Sequence, residues 1–265
     1  MMTHWYVFCK TDLLIERQTD DTFTVPSADE APVELKPWEY VHQVTPNDGD
    51  GTVVKTVLLS QPPRLSETQE MCPLRKSYYK LPYQLYLKAG KCQEILYWDC
   101  NTKFCGVCGA PMKLHTAISK RCTQCGKEVW PQLAIAVIVL IRRGNEVLLV
   151  HAHNFRSDFY GLVAGFVETG ETLEEAVERE VMEETGISIK NIRYFASQPW
   201  PYPSGLMVGF HADYQAGTLH LQKSELSRGG WFSSEHLPQI PEKLSIARML
   251  IDDWLKNGVS SANDE

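Results

Sequence analysis

Long apolar runs are missing from this 265-residue sequence. A membrane helix needs about 20 consecutive apolar residues. The best stretch, Leu133 to Ile141, stops at Arg142 and Arg143 and reads as a buried strand. The opening residues, Met1-Met2-Thr3-His4-Trp5, have neither the basic segment nor the apolar run of a secretory signal, so the expected location is the cytoplasm. Positive charge is also scarce: 26 Lys and Arg face 33 Asp and Glu, for a formal net charge of −7. That balance argues against a broad electrostatic grip on nucleic acid. It leaves room for an enzyme that takes the end of an RNA into one pocket. No internal repeat of substantial length is present. A disulfide framework is not expected in a chain of this size without a secretory signal.

The remaining composition, 43% hydrophobic and 22% charged, is that of a soluble globular protein large enough for two domains. Three regions and a tail are expected: an N-terminal domain over 1–100, a cysteine segment over 101–131, a third domain over 132–258, and a polar, frayed tail over 259–265. In the first region Thr52 to Leu59 reads as a strand, and Pro46-Asn47-Asp48-Gly49-Asp50-Gly51 as the turn before it. That region offers no chemical motif of its own.

Of eight cysteines, Cys9, Cys72, Cys92 and Cys100 show no ligand pattern and are expected to be reduced and partly buried. The other four form two C-x-x-C pairs, Cys105 with Cys108 and Cys122 with Cys125, each followed by glycine. Two residues between ligands let one tight turn aim both sulfurs at one ion. Two such turns supply the closed tetrahedron of structural Zn2+. With no vacant position to activate water, the site reads as a staple, and the few flanking bases do not suggest a nucleic-acid reader.

The decisive segment runs from Gly165 through Glu171 to Arg179-Glu180, Glu183-Glu184 and Gly186-Ile187. Gly170 breaks the chain, Thr172 can cap a helix with Glu175 three residues on, and Gly186 ends it. At about 100° per residue, Leu173, Val177, Glu180 and Glu184 share an arc of roughly 60°. A solvated acidic face would lie opposite the apolar residues, as Glu175 and Glu178 do. Glu180 and Glu184 instead occupy the apolar edge, where an unpaired charge is costly. Divalent cations resolve the conflict, since hard carboxylate oxygens bind Mg2+ or Mn2+.

Position for position, this segment resembles the Nudix box. The resemblance implies an α/β fold, the Nudix α/β/α sandwich with a mixed sheet, preceded here by a zinc ribbon and an N-terminal α+β domain. It also implies metal-dependent hydrolysis of a nucleoside diphosphate joined to a further group. By that resemblance Glu180 and Glu184 are the main Mg2+ or Mn2+ ligands, and Glu183 is a ligand or orients the attacking water. The backbone carbonyl of Ala164 adds a ligand. Gly165, Glu171, Arg179 and Gly186 support the loop geometry, Glu171 and Arg179 through a charge pair.

Ten residues beyond Ile187 comes Ser197-Gln198-Pro199-Trp200-Pro201-Tyr202-Pro203-Ser204-Gly205-Leu206-Met207. Three alternating prolines stiffen an extended loop and hold Trp200 and Tyr202 as surfaces suited to stacking on a base. A structural loop packed on the core is the competing reading. The string resembles the signature of NADH pyrophosphatases within the Nudix family. That resemblance implies hydrolysis of NADH or NAD+ to nicotinamide mononucleotide (reduced from NADH) and AMP. An alternative main substrate is the 5′ end of NAD-capped RNA. A silent zinc-ribbon nucleic-acid-binding protein is a rival from another class, disfavoured by the intact glutamates. The resemblance further implies substrate contacts from Gln198, Pro199, Trp200, Pro201, Tyr202, Pro203, Ser204 and Gly205, and a metal contact from Glu225. Ala247 would line the nucleotide pocket, Trp130 would stack on the base, and the active unit would be a homodimer. Arg75 is a candidate for substrate phosphate or an ordinary surface arginine.

Overall fold

The computed structural model describes residues 2–45, 51–155 and 157–258. The turn expected from Pro46 and the tail expected from residue 259 lie outside these residues, Gly51 excepted. The chain divides into two compact units, residues 1–132 with 201–204, and residues 133–200 with 205–265. Among the described residues no helix is long and apolar enough to cross a membrane.

In the first unit six strands form one sheet: β1 (Thr3–Cys9), β2 (Asp12–Arg17), β3 (Phe23–Thr24), β4 (Val41–Val44), β5 (Val53–Leu59) and β6 (Gln69–Pro73). Their order is β3-β2-β1-β5-β4, with β6 paired to β2. β1 and β5 run parallel at its centre. Tyr6, Val7 and Phe8 are fully buried in succession, so both faces of β1 are covered. The strand expected from Thr52 begins one residue later, at Val53.

A short helix α1 (Leu74–Ser77) leads through Pro82 into the 19-residue α2 (Tyr83–Asn101). No separate helix is expected here from the sequence, because polar and apolar residues mix along it. Its buried side chains Tyr86, Ala89, Gln93 and Leu96 nonetheless fall at helical spacing. Three short strands, β7 (Met112–Thr116), β8 (Ser119–Cys122) and β9 (Glu128–Val129), then make the cysteine-bearing ribbon. Lys120 on β8 is only 5% exposed. Its ammonium lies 2.7 Å from Asp99 Oδ1 and donates to the carbonyls of Asp99 (2.8 Å) and Thr102 (2.9 Å) at the end of α2. Burial pushes the Asp99 carboxyl up, but hydrogen bonds from His42 and Lys120 outweigh it and hold the group near about 2.

The second unit carries β10 (Ala134–Arg143), β11 (Glu146–Ala152), β12 (Val163–Phe166), α3 (Leu173–Thr185), β13 (Ser188–Pro199), β14 (Gly205–Ala216), β15 (Leu226–Ser233) and α4 (Ile246–Asp253). Strand order is β13-β14-β10-β11-β15, with β12 paired to β10. β10 and β14 are parallel and the other pairs antiparallel, which makes the sheet mixed. The run that ends at Arg142 and Arg143 is the central strand β10. Its alternation builds two cores. Val137, Val139 and Ile141 meet Val177 and Val181 of α3, while Ile138 and Leu140 meet Leu250 and Ile251 of α4. Sheet between helices is the α/β/α sandwich expected.

Candidate active site

The helix α3 forms as its sequence requires. Thr172 Oγ1 accepts from the Glu175 N–H at 3.2 Å, and a Glu175 carboxylate oxygen accepts from the Thr172 N–H at 2.8 Å, closing a capping box. Gly186 ends the helix in the left-handed region, at φ 69°. The apolar edge turns inward, so Val177 and Val181 are fully buried and Glu184 is drawn in with them to 7% exposure.

Every influence on the Glu184 carboxyl favours its protonated form. Burial acts first, then the charges of Glu180, Glu225 and Glu183, and together they push it up to about 8. Glu180 is raised too, by burial first, with Arg179 opposing. Acids so placed call for a multivalent cation.

Arg179 organises the cluster. Its guanidinium donates to both carboxylate oxygens of Glu171, to Glu180 Oε1 at 2.9 Å, to Glu183 Oε2 at 3.3 Å and to the carbonyl of Phe166 at 2.9 Å. Glu171 in turn accepts from the N–H of Glu168 at 2.9 Å, which fixes the loop before α3. Glu183 is the most open of these acids, with its side chain 55% exposed. Glu225 reaches the cluster through backbone bonds. His220 and Gln222 donate to the carbonyls of Thr185 and Glu184, each at 2.8 Å, and Glu225 donates back to Gln222 at 3.0 Å.

β12 brings Ala164 and Gly165 to α3. A Cβ at Gly165 would lie 2.0 Å from Glu180 Cδ, so only glycine leaves the carboxylate its place. The colliding atoms end a flexible side chain, so Gly165→Ala is expected to fold normally and to displace Glu180. We expect a loss in kcat/KM of about 100-fold with Tm nearly unchanged; a wild-type rate would show that the position of Glu180 does not matter.

The Pro-aromatic string is the tip of a hairpin rather than a free extended loop. Ser197 to Pro199 finish β13, Gly205 opens β14, and the Trp200 N–H donates to the Gly205 carbonyl at 2.8 Å. Several residues expected to touch substrate are committed to packing. Gln198 is buried, and its amide donates to the Leu244 carbonyl and accepts from the Ile246 N–H, each at 2.8 Å. It therefore pins the start of α4. Ala247 packs in the α4 core. Pro201 is buried, and a Cβ at Gly90 of α2 would come within 3.1 Å of it. Ser204 donates to the Gln132 carbonyl at 3.1 Å. A Cβ at Gly205 would sit 3.1 Å from the Ala134 carbonyl. Pro199 and Pro203 are exposed, and Trp200 is half-buried. Tyr202 is half-buried, with its hydroxyl 3.0 Å from that of Tyr86 and the Arg75 guanidinium 5.9 Å from its ring centre. Trp130 is 54% exposed. Phe166, 66% exposed beside Gly165, was not singled out from the sequence. Its only signal there was an aromatic residue within the box.

In the ribbon, the four cysteine sulfurs lie within 4.8 Å of one another. Cys105 Sγ is 3.6 Å from Cys125 Sγ, and Cys108 Sγ is 3.4 Å from Cys122 Sγ. Sulfurs about 2.3 Å from a zinc ion would be separated by about 3.8 Å in a tetrahedron, so the spacing fits. N–H groups of Cys125 and Gln124 point at Cys122 Sγ and hold that thiol down to about 6. Among the described residues, no other group of three or more such ligands converges as closely; the acids of the second unit are spaced more widely.

Three family models match the chain in succession: an NADH pyrophosphatase-like rudimentary NUDIX domain over residues 2–98, an NADH pyrophosphatase zinc ribbon domain over 101–129, and a NUDIX domain over 130–253. The NAD-capped RNA hydrolase NudC of Chromobacterium violaceum is 38% identical over 187 residues, 70% of this chain and 71% of that protein. This chain belongs to the Nudix family. The NudC of Pectobacterium atrosepticum is 45% identical over 170 residues, 64% of this chain and 65% of that protein's length. A crystal structure of a NUDIX hydrolase from Nitrosomonas europaea superposes with a TM-score of 0.52 at 22% identity, covering 60% of this chain and 93% of that one. That likeness concerns the Nudix fold alone. The first match also gives the motif-poor N-terminal region a family of its own.

Proposed function

We propose that this chain hydrolyses the diphosphate bridge of NADH and NAD+, and the same bridge where it caps an RNA. The products are nicotinamide mononucleotide with AMP, or with a 5′-monophosphate RNA. The observation that carries the reading is Glu184, a buried acid crowded by Glu180, Glu183 and Glu225 on the Nudix helix. The succession of NADH pyrophosphatase-type domains and the names of the relatives support the substrate.

Glu180, Glu184 and Glu225, with the carbonyl of Ala164, would hold Mg2+ or Mn2+. Such ions, when bound, neutralise the diphosphate and acidify water. Arg179 keeps Glu180 and the Phe166 carbonyl in place. Glu183, open to solvent, is left to orient the attacking water or take its proton. Phe166 and Trp200 offer aromatic faces for the bases, while Gln198 and Ala247 act by positioning α4. Zn2+ in the ribbon is structural. A homodimer in the cytoplasm completes the reading.

Product analysis tests it. Purified protein with Mn2+ or Mg2+ should convert NADH to AMP and reduced nicotinamide mononucleotide, and NAD-capped RNA to 5′-monophosphate RNA. Cleavage of ADP-ribose but neither of these would overturn the substrate. Binding of RNA without cleavage of any diphosphate would restore the silent binding protein.

A further inference from the structure

Four of the eleven tyrosines, Tyr78, Tyr79, Tyr83 and Tyr86, fall within nine residues at the turn from α1 to α2. The whole chain carries a charge of −7, yet Leu74 to Lys91 holds Arg75, Lys76, Lys80, Lys88 and Lys91 and no Asp or Glu. Lys80 is paired with Glu70 from β6. The rings form one connected group. Tyr78 sits edge-on to Tyr79, Tyr83 and Tyr86, with centroids 5.0, 6.4 and 5.4 Å away, and Tyr83 is stacked on Tyr86 at 6.5 Å. Tyr202 extends the group through its hydroxyl contact with Tyr86, and Arg75 lies over the Tyr202 ring.

Burial within the group is unequal. Tyr86 is 4% exposed, whereas Tyr79 and Tyr83 keep 56% and 51% of their surface in solvent. The inner rings are fixed by packing and hydrogen bonding, so the outer two are held as a platform at little further entropic cost. Aromatic faces beside a stretch of unmixed positive charge are what single-stranded nucleic acid recognises. Bases stack on the rings, and the cations attract the phosphates.

The geometry points to a docking surface for single-stranded RNA on the first unit, with Tyr79 and Tyr83 stacking on bases and Arg75 and Lys76 supplying positive charge. This rests on the reading that capped RNA is a substrate, and it states what separates RNA from a free dinucleotide. NADH has no nucleotides beyond its own two to place on such a platform. A local patch also removes the objection raised by the net charge, because phosphate contacts depend on nearby cations rather than on the total.

The test compares the full-length chain with Tyr79→Ala/Tyr83→Ala and Tyr79→Phe/Tyr83→Phe variants. Binding of a fluorescent 5′-monophosphate RNA of about twelve nucleotides is followed by anisotropy at two salt concentrations. Free NADH hydrolysis is measured beside it. The alanine pair should weaken RNA binding at least about tenfold, the phenylalanine pair should restore it, and NADH hydrolysis should stay at the wild-type rate in both. Equal RNA affinity in wild type and the alanine pair would overturn the proposal. So would a parallel fall in NADH hydrolysis, which would mark the tyrosines as structural. A wild-type chain that binds RNA through these tyrosines but cleaves no NADH and no NAD cap would instead sink the proposed activity and leave the surface standing.

Discussion

Replacing Glu184 by glutamine is expected to abolish most activity while making the metal-free protein more stable. The activity loss follows from removing the acid proposed to hold the metal at the centre of the cluster. Cations stabilise the reacting diphosphate by several kcal/mol, so a fall of about 100-fold or more in kcat is expected. The gain in stability follows from the raised carboxyl. Its folded value of about 8 stands above the ordinary carboxyl value of 4.5. A group raised on folding stabilises the folded state fully below the unfolded value, and that contribution is lost as pH rises through the folded one. Chelator-treated wild type should therefore lose stability between about pH 4.5 and pH 8, on the order of 3 kcal/mol at neutral pH. The glutamine variant should show a flatter profile. Saturating Mn2+ should reverse the order, since a ligand at about 1,000 times its Kd adds about 4.1 kcal/mol to the protein that binds it. Thermal melts across pH, with and without Mn2+, decide the matter. Identical pH profiles for the two metal-free proteins would mean that Glu184 is not the strained acid described.

Removal of zinc is expected to unfold the ribbon and loosen the end of α2, leaving the second unit folded. The ribbon's buried apolar cluster is only Cys105, Met112 and Cys122, too small a core to hold three short strands. Structural zinc supplies roughly 10–16 kcal/mol to such small domains. The damage should spread through Lys120. Once β8 is lost, Asp99 loses its 2.7 Å ammonium partner, and the buried His42 keeps only a 3.4 Å contact with a carboxylate thus exposed. Hydrogen exchange of the full chain after zinc extraction, or of Cys122→Ser, should show residues 103–129 exchanging like a free chain and the end of α2 losing protection. The amides of β10 and α3 should remain protected. A ribbon still protected without metal would mean that its core suffices and that the four sulfurs are not a structural zinc site.

Local signals in the sequence carried much of this molecule. The C-x-x-C pairs, the capping box at Thr172, the stop at Gly186 and the placement of Glu180 and Glu184 on the apolar edge of α3 were all legible. Each depends on the 3.6-residue helical turn or on a tight turn between neighbouring residues. The Pro-aromatic string was legible as a feature, but its packing partners were not. Its stiffness was plain, yet the use of Gln198 to hold α4 and the burial of Pro201 beside Gly90 depend on partners at least 46 residues away. Helix α2 and the tyrosine group escaped for the same reason, since which face of a mixed helix is buried depends on what packs against it. By itself, then, the sequence determined where the acids and cysteines gather, because residue type and local spacing are written in consecutive residues. Only the tertiary structure decided that Gly165 leaves room for Glu180, that Arg179 joins three glutamates, and that Tyr79 and Tyr83 remain exposed above buried partners. Those facts arise where distant segments compete for the same space.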